Sequence, residues 1–210
     1  MTRKEEIVLA TLDLAAEYGL RSVSLSQIAE RVGIRKPSLY NHFASKDEIV
    51  QEAYRFLRAQ ARERAAAYDA ELPASFFEKP LEEVLLASFD QYRSFVLDQD
   101  LLRFWRVLYA ERTTSPVAAQ IMVEETERMI RQVKALFYAL VAHGRLACDD
   151  VDMAALSYAM TIHGLVDHQL DQLTSQSIQA TDDQAAFSQA RRYISWFSQQ
   201  MEPYHAAATH

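Results

Sequence analysis

The sequence predicts an all-α protein of about nine helices, and three observations support this fold class. Gly and Pro together fill 9 of the 210 positions, where average usage would give about 25. Apolar residues recur at three- and four-residue steps over long stretches, which is the period of an amphipathic helix. No segment alternates apolar and polar residues convincingly at the two-residue period of a half-buried strand.

The first two helices begin and end at recognisable signals. Thr2 followed by Glu5 forms the pattern of a capping box, in which the two residues satisfy each other's backbone N–H groups. Gly19 is the type of residue that ends a helix. Ser24 with Gln27 repeats the box. The sequence therefore predicts one helix between Thr2 and Gly19 and a shorter one after Ser24.

Two further helices follow in the same N-terminal quarter. Gly33 breaks the second helix, and a third is expected over about 36–42, with Pro37 tolerated in its first turn. Ser45 with Glu48 forms a third capping box. This box is expected to start a long fourth helix.

The remainder of the chain predicts five more helices. A polar, proline-containing stretch over 69–80 is expected to connect the fourth helix to the fifth. A capping box of Thr181 and Gln184 is expected to start the last helix. Approximate ranges for the five helices are 81–95, 101–109, 116–143, 151–173 and 182–201.

Residues 24–49 carry the packing pattern of a helix-turn-helix. Ala29 is small where the next helix must approach, and Gly33 lies in the turn. The same spacing also fits a generic helical hairpin with a glycine turn. The apolar side chains spaced for burial between two steeply crossing helices are Ile28, Val32, Ile34 and Leu39.

The residues after this turn favour DNA binding. Between Arg35 and Lys46 the chain has no acidic residue, and donors and small hydroxyls cluster on a short helix. Base edges and phosphates require such groups. Leu39 and Phe43 are expected to face inward, which leaves most of the polar side chains outside. On charge alone, a solvated basic face fits as well.

Over about residues 4–55 the chain resembles the tetracycline-repressor (TetR) family of bacterial transcriptional regulators. The resemblance lies in the amphipathic first helix, in IAERVG at 28–33 and in KPSLYNHFASKDEI at 36–49. It implies a three-helix DNA-binding domain over 1–46 and a helical ligand-binding and dimerisation domain over 47–204.

The resemblance also implies which residues meet DNA. Tyr40 and Lys46 correspond to family residues that contact phosphates, and Lys36 lies on the recognition helix. Arg35 departs from the family pattern, which is more often small or polar there, and it adds either a phosphate contact or an arginine–guanine pair. The expected DNA contacts are Ser24, Ser26, Gln27, Arg35, Lys36, Pro37, Ser38, Tyr40, Asn41, His42 and Lys46.

A homodimer is expected because one short recognition helix reads few base pairs, whereas two helices on a two-fold axis read a palindrome. The last two helices carry a narrow apolar seam and small residues, and the family dimerises through such a pair. The alternative is that both seams face the chain's own core. The expected interface residues are Ala155, Ala159, Phe187, Ala190, Ile194, Phe197 and Met201.

An effector site is expected in the middle of the chain, because large apolar and aromatic residues are frequent there and the family binds a small molecule there. Stripes of such residues also form ordinary cores, so no single residue is decided. The expected lining residues are Phe89, Tyr92, Phe104, Trp105, Tyr109, Phe137, Met160 and His163.

His163, Asp167 and His168 place polar groups on an otherwise apolar helix. The four-residue step puts His163 and Asp167 on one face, a spacing that suits a metal ion. The same groups would also suit an effector or a contact across a dimer. Satisfied core or interface polar groups are the simplest interpretation, and we expect no metal.

Motifs of enzymatic chemistry are absent from the sequence. Cys148 has no neighbouring base, and the adjacent Asp149 and Asp150 disfavour a thiolate. There is no Gly-rich phosphate loop, Cys-x-x-Cys pair or HExxH run. We therefore predict no enzyme and no cofactor.

Composition and charge predict the compartment and the manner of DNA contact. A single cysteine permits no internal disulfide, which fits the cytoplasm, and no run of about 18 apolar residues predicts a membrane span. The net charge is −7, but residues 1–64 hold 11 Lys and Arg against 9 Asp and Glu, whereas 65–210 hold 11 against 20. This division favours a local, oriented DNA contact over indiscriminate coating.

Together these observations predict a cytoplasmic transcriptional regulator that binds a palindromic operator as a homodimer. We expect a repressor that a small-molecule effector releases from DNA. An activator or a co-repressor-dependent regulator of the same fold is the alternative within this class. Outside it, the alternatives are a ligand-binding protein with a degenerate DNA-binding head and a helical metal-dependent enzyme.

Overall fold

The structure of the chain is a computed structural model that describes residues 2–66, 74–175 and 187–202. Within these ranges the chain forms nine α-helices, one 3₁₀ helix at Ala74–Glu78 and no strand, so the all-α prediction is confirmed. The helices are α1 Arg3–Tyr18, α2 Leu25–Val32, α3 Lys36–Leu39, α4 Lys46–Ala66, α5 Leu81–Val96, α6 Gln99–Glu111, α7 Pro116–Ala142, α8 Val151–Ser175 and α9 Ser188–Met201.

The predicted caps of the N-terminal helices are present. The Thr2 hydroxyl accepts from the Glu5 N–H at 3.3 Å, and the Glu5 carboxylate accepts from the Thr2 N–H at 2.7 Å. Ser24 and Gln27 repeat this exchange at 3.3 and 2.8 Å. Each pair satisfies N–H groups that the first turn of a helix leaves without partners.

Three elements differ from the prediction. α3 ends at Leu39 rather than near 42, because the next three N–H groups bond three residues back and tighten the chain into a turn. The 3₁₀ helix occupies part of the expected connection. The predicted Thr181–Gln184 cap lies outside the described residues, although the last helix ends at Met201 as expected.

The first of two compact units comprises Met1–Tyr68 and Asp98–Glu125. In this unit α1 packs against α2, α4 and α6, and α2 packs against α3. Among its most completely buried side chains are Ile7, Leu12, Ile28, Leu39 and Ile49.

The second unit comprises Asp69–Leu97 and Thr126–His210. In it α5 and α8 both pack against α9. Its core includes Leu85, Phe137, Leu140, Phe187 and Ile194, each at most 1% exposed. The domain boundary at 46/47 stays a prediction. No helix of the described ranges has both the length and the apolar character needed to cross a bilayer.

Candidate nucleic-acid interface

The turn between α2 and α3 depends on Gly33. Its backbone is left-handed (φ 72°, ψ 32°), and its N–H bonds back to the end of α2. The Ile34 N–H then reaches the Ala29 carbonyl at 2.9 Å. Arg35 is the N-cap of α3, so only Gly33 and Ile34 separate the last residue of α2 from this cap.

The inner side of α3 is apolar, as predicted. Leu39 is 1% exposed and Phe43 4%, and they share the interior with Ile28 and Ala29 of α2. Because these side chains fix α3 against α2, the rest of α3 faces outward. The core expectation for Leu39 and Phe43 is confirmed.

The outward surface of α3 carries hydrogen-bond donors and no acid. Arg35, Lys36, Pro37, Tyr40 and Asn41 are exposed, and Ser38 and His42 are half-buried. The Tyr40 side chain is 53% exposed although its neighbour Leu39 is fully buried. Chemically, this surface can donate to phosphate oxygens and to base edges.

Ser24 and Gln27 have a local structural task. The Ser24 hydroxyl donates to Gln27 Oε1 at 2.8 Å, and the same oxygen accepts from the Ser24 N–H. The Gln27 amide NH₂ is the donor that this box does not use. Ser26, between them, is exposed.

Lys46 lies at the start of α4, where it reaches the turn that precedes α2. Its ammonium donates to the Arg21 carbonyl at 3.2 Å, and the Ser45 hydroxyl caps α4 by accepting from the Glu48 N–H at 3.1 Å. The Lys46 side chain is therefore held in place before any ligand arrives. The contact with Arg21 joins residues 25 positions apart, so sequence periodicity gave no sign of it.

Further ion pairs join helices of the first unit. In α2, Arg31 contacts Glu17 of α1 at 3.4 Å. In α4, Arg58 and Arg62 approach the carboxylate of Glu124 in α7 at 3.3 and 3.9 Å. α4 is thus fixed to α7 within the first unit.

Tyr54 adds a second tie between α4 and the segment that precedes α7. It is 7% exposed, and burial raises the pKa of its phenol, while a hydrogen bond with Ser115 acts in the opposite direction. The phenol therefore stays neutral and hydrogen-bonded at physiological pH. A cleft of about 180 Å³ lies beside it and is lined by Gln51, Tyr54, Arg55, Arg58 and Val117.

The predicted interface residues lie inside a single copy of the second unit. Ala155, Ala159, Phe187, Ala190, Ile194 and Phe197 are 0–2% exposed, and Met201 is half-buried. Side chains with so little exposure have almost no surface to offer a partner, so the seam faces the chain's own core.

Other residues of α8 and α9 face outward. On α8 we define the outer stripe as Met153, Ser157, Met160 and Gly164, which are exposed and recur at three- and four-residue steps. Met153 and Met160 are 57% and 43% exposed, and Trp196 on α9 is 55% exposed. These side chains carry the apolar surface that the two helices leave open to solvent.

The predicted effector residues divide between the two units. Phe104, Trp105 and Tyr109 belong to the first unit, where Phe104 packs edge-on against Phe56 at 5.9 Å. Phe89 and Phe137 are buried in the core of the second unit, and Met160 faces outward. None of the predicted residues lines the cleft beside Tyr54.

Two of the predicted effector residues do meet, in a polar chain of the second unit. The Tyr92 hydroxyl lies 2.9 Å from His163 Nδ1, and His163 Nε2 lies 3.5 Å from the Asp167 carboxylate. With the imidazole proton on Nε2, Nδ1 accepts from the tyrosine and Nε2 faces the carboxylate. The chain links α5 to α8 with polar groups that are each partly exposed.

His168 does not join this chain. Its Nε2 lies 3.2 Å from the Gln172 amide nitrogen, one turn further along α8. Within the described ranges, no three His, Cys, Asp or Glu residues are grouped closely enough to hold a metal ion. The predicted trio is therefore divided between two separate hydrogen-bonding arrangements.

A left-handed glycine turn followed by a short, outward-facing basic helix defines the class of helix-turn-helix transcriptional regulators. Residues 7–53 match the family model of bacterial regulatory proteins of the tetR family. Residues 83–195, more than half of the chain, match the model of the AefR-like transcriptional repressor C-terminal domain. The chain belongs to the TetR family of transcriptional regulators.

Known proteins resemble the chain over most of its length at low identity. The transcriptional regulator BetI of Escherichia coli (strain SMS-3-5 / SECEC) is 21% identical over 163 residues, which are 78% of this chain and 80% of BetI. A regulator from Saccharomonospora viridis, solved in complex with choline, has a TM-score of 0.66 at 19% identity and covers 95% of this chain and 97% of its own.

Two further structures share the fold. A TetR-family regulator from Mesorhizobium loti MAFF303099 has a TM-score of 0.65 at 19% identity and covers 96% of this chain and all of its own. The flavonoid-responsive regulator FrrA has a TM-score of 0.62 at 22% identity, with 96% of this chain and 97% of FrrA covered.

Proposed function

We propose that the chain is a cytoplasmic, one-component repressor that binds a palindromic operator as a homodimer through α2 and α3. The observation that carries this proposal is the outer surface of α3, where Arg35 and Lys36 stand with exposed Tyr40 and Asn41 and no acid. A polar surface fixed by a buried apolar side is suited to lie in the major groove of DNA.

Within this surface we assign different tasks to different residues. Lys36, in the first turn of α3, is positioned to read a base edge. Tyr40 and Lys46 are assigned to phosphates. The phenol offers one hydroxyl donor, and the Lys46 ammonium, which is held at the start of α4 by the Arg21 carbonyl, keeps two further N–H donors for an anion. For Arg35 the choice between a phosphate and a guanine stays open.

The proposal is tested by fluorescence anisotropy with the full-length protein and the palindromes upstream of its own gene. We expect affinity for one palindrome to exceed affinity for a scrambled duplex by at least about 10³-fold, and both affinities to fall with salt. Equal, weak affinity for every duplex would contradict operator recognition and would favour a degenerate DNA-binding head.

We assign the dimer interface to the outer stripe of α8 together with Trp196 of α9. Ser157 and Gly164 alternate with the two methionines on this stripe, and small residues let helices of two copies approach closely. Exposed Met153, Met160 and Trp196 then become buried, which supplies the hydrophobic contribution that a stable dimer requires.

For effector binding we propose the polar chain of Tyr92, His163 and Asp167. A phenol, an imidazole and a carboxylate in sequence can orient a hydroxylated small molecule. Choline and the flavonoids both carry hydroxyl groups, and they are named with two of the similar regulators. We infer that an effector of this chemistry shifts α4, which the Arg58–Glu124 ion pair joins to α7.

The effector proposal is tested by measuring operator affinity with and without saturating choline, and separately with a flavonoid such as naringenin. A compound that binds the second unit and releases the protein from DNA should weaken the affinity for the operator by about 5- to 150-fold. His163→Ala should abolish that response while operator affinity without the compound is kept. A compound that strengthens operator binding would instead identify a co-repressor-dependent regulator.

A further inference from the structure

Lys4, in the first turn of α1, lies next to the end of the recognition helix. Its ammonium nitrogen is 5.3 Å from the centre of the Phe43 ring. Phe43 lies in the turn that follows α3, where its N–H donates to the Leu39 carbonyl at 3.0 Å. A charge that is distant in sequence is therefore one side chain away from the DNA-facing surface.

The acids around Lys4 already have other partners. The Glu5 carboxylate accepts from the Thr2 N–H in the capping box, and Glu6 pairs with Arg3. In the part of the chain that the structure describes, Lys4 forms no ion pair, and its side chain is exposed. Its positive charge is consequently available to an external anion.

The Phe43 ring restricts where this charge can be. An ammonium over an aromatic face is attracted by the negative face of the ring. Phe43 is 4% exposed and held in the core, so it is a fixed support. The ammonium is positioned before DNA arrives, which lowers the entropy lost on contact.

Cations lie at both ends of the segment that would enter the groove. Arg35 and Lys36 lie at its N-terminal end, and Lys4 lies beside Phe43 at its C-terminal end. Eight residues in helical and 3₁₀ turns span about 12–16 Å, so the two groups of cations reach different parts of a duplex surface. Phosphates border the major groove along its length, so a cation beside the end of a helix that lies in the groove meets phosphate oxygens as its nearest anions.

We propose that Lys4 is a DNA contact that binds a backbone phosphate at the C-terminal end of α3. This proposal rests on the proposed function, since it requires that α3 lies in the major groove. Lys4 neutralises a charge and reads no base, so it contributes equally to all sequences. It adds a phosphate contact from α1 to the phosphate contacts assigned to Tyr40 and Lys46.

The experiment compares Lys4→Gln with the wild type on the operator and on a scrambled duplex, each over 0.05–0.2 M NaCl. Each phosphate contact contributes about 0.9 to the slope of log affinity against log salt. Because the proposed homodimer carries Lys4 twice, the wild type should lose about 12-fold more affinity over this range than Lys4→Gln. Lys4→Arg should keep the wild-type slope. Lys79→Gln removes an exposed lysine of the second unit and should change nothing.

The outcomes separate this proposal from the one on which it rests. A wild type that binds the operator, with an unchanged slope for Lys4→Gln, would overturn the role of Lys4 alone. A lower melting temperature of Lys4→Gln at an unchanged slope would mean that Lys4 only covers Phe43. A wild type without salt-dependent DNA binding would overturn both proposals.

Discussion

Lys36 begins α3 and Tyr40 directly follows its end, and the two residues are assigned to different parts of the duplex. Lys36 follows the N-cap Arg35 and points from the first turn, whereas Tyr40 follows the buried Leu39 at the end of the helix. A base contact discriminates between sequences, and a phosphate contact does not. A substitution at Lys36 should therefore change the ratio of operator affinity to scrambled-duplex affinity, whereas a substitution at Tyr40 should leave this ratio unchanged.

We expect Tyr40→Phe to weaken binding to the operator and to a scrambled duplex by a similar factor, about fivefold for each protomer that contacts DNA, because it removes one hydroxyl donor per protomer and keeps the ring. Lys36→Ala should lower operator affinity by about 1–3 kcal/mol and affect the scrambled duplex less. Anisotropy titrations on both duplexes measure the two ratios. A Tyr40→Phe protein with wild-type affinity would contradict the assigned docking geometry.

Cys148 is a thiol whose surroundings oppose ionisation. Burial is the main cause that raises its pKa, and the charges of Asp149 and Asp150 add to the effect. A raised pKa lowers the thiolate fraction at any pH below it, and the thiolate is the reactive form. The expectation from the neighbouring aspartates agrees with this direction, while the contribution of burial required the fold.

We expect iodoacetamide to modify Cys148 at pH 8 more slowly than it modifies glutathione. The rate should still rise beyond pH 8.5, the usual pKa of a thiol. Asp149→Asn should accelerate the reaction, and unfolding in urea should bring it to the rate of a free thiol. Mass spectrometry at timed intervals measures each rate, and a fast native reaction at pH 7 would contradict the raised pKa.

At the scale of the element, helix ends were predictable because their signals are local. The boxes at Thr2 and Ser24 and the helix ends at Gly19 and Gly33 all occur as the sequence indicates. The end of α3 was not predictable from the sequence. The N–H groups of Tyr40, Asn41 and His42 bond carbonyls three residues back, whereas a continued α-helix would require bonds four residues back. That choice depends on packing around Leu39 and Phe43.

The glycine of the turn offers a test at this scale. A Cβ at Gly33 would meet no atom within 4 Å, but the backbone there has φ +72°. Gly33→Ala should therefore lower the free energy of unfolding by about 1–2 kcal/mol through backbone strain alone. Gly33→Asn should cost less, because Asn tolerates the left-handed region. Urea denaturation compares the two, and equal losses would contradict a conformational origin.

At the scale of the molecule, the sequence predicted the fold class and which residues of α8 and α9 share a face. It did not predict what that face meets. The helical spacing of apolar residues shows that Ile194 and Phe197 belong to one apolar seam. The same spacing fits a seam that packs against a second copy and a seam that packs against the chain's own core. Only the packing of α5 and α8 on α9 decides that it is the core. The sequence pattern likewise did not predict the contact between Tyr92 and His163, which are 71 positions apart.

The outer stripe gives the corresponding prediction for assembly. Trp196→Lys should weaken the dimer by at least about tenfold, because it places a charge among apolar groups that the interface would bury. Val123→Lys changes an exposed apolar residue of the first unit and is the matched control. Sedimentation velocity over a concentration series measures both. A dimer that tolerates Trp196→Lys would remove α9 from the proposed interface.

The first unit is assembled from two stretches of chain with a part of the second unit between them in sequence. Phe56 of α4 packs against Phe104 of α6, and α1 packs against α6 as well. A recombination event that moved residues 1–68 alone onto another sensor would leave Phe56 and one side of α1 bare. New regulators with this DNA-binding unit must therefore inherit α6 together with it. Exchange of the whole second unit then requires three crossover points instead of one, at 68/69, 97/98 and 125/126.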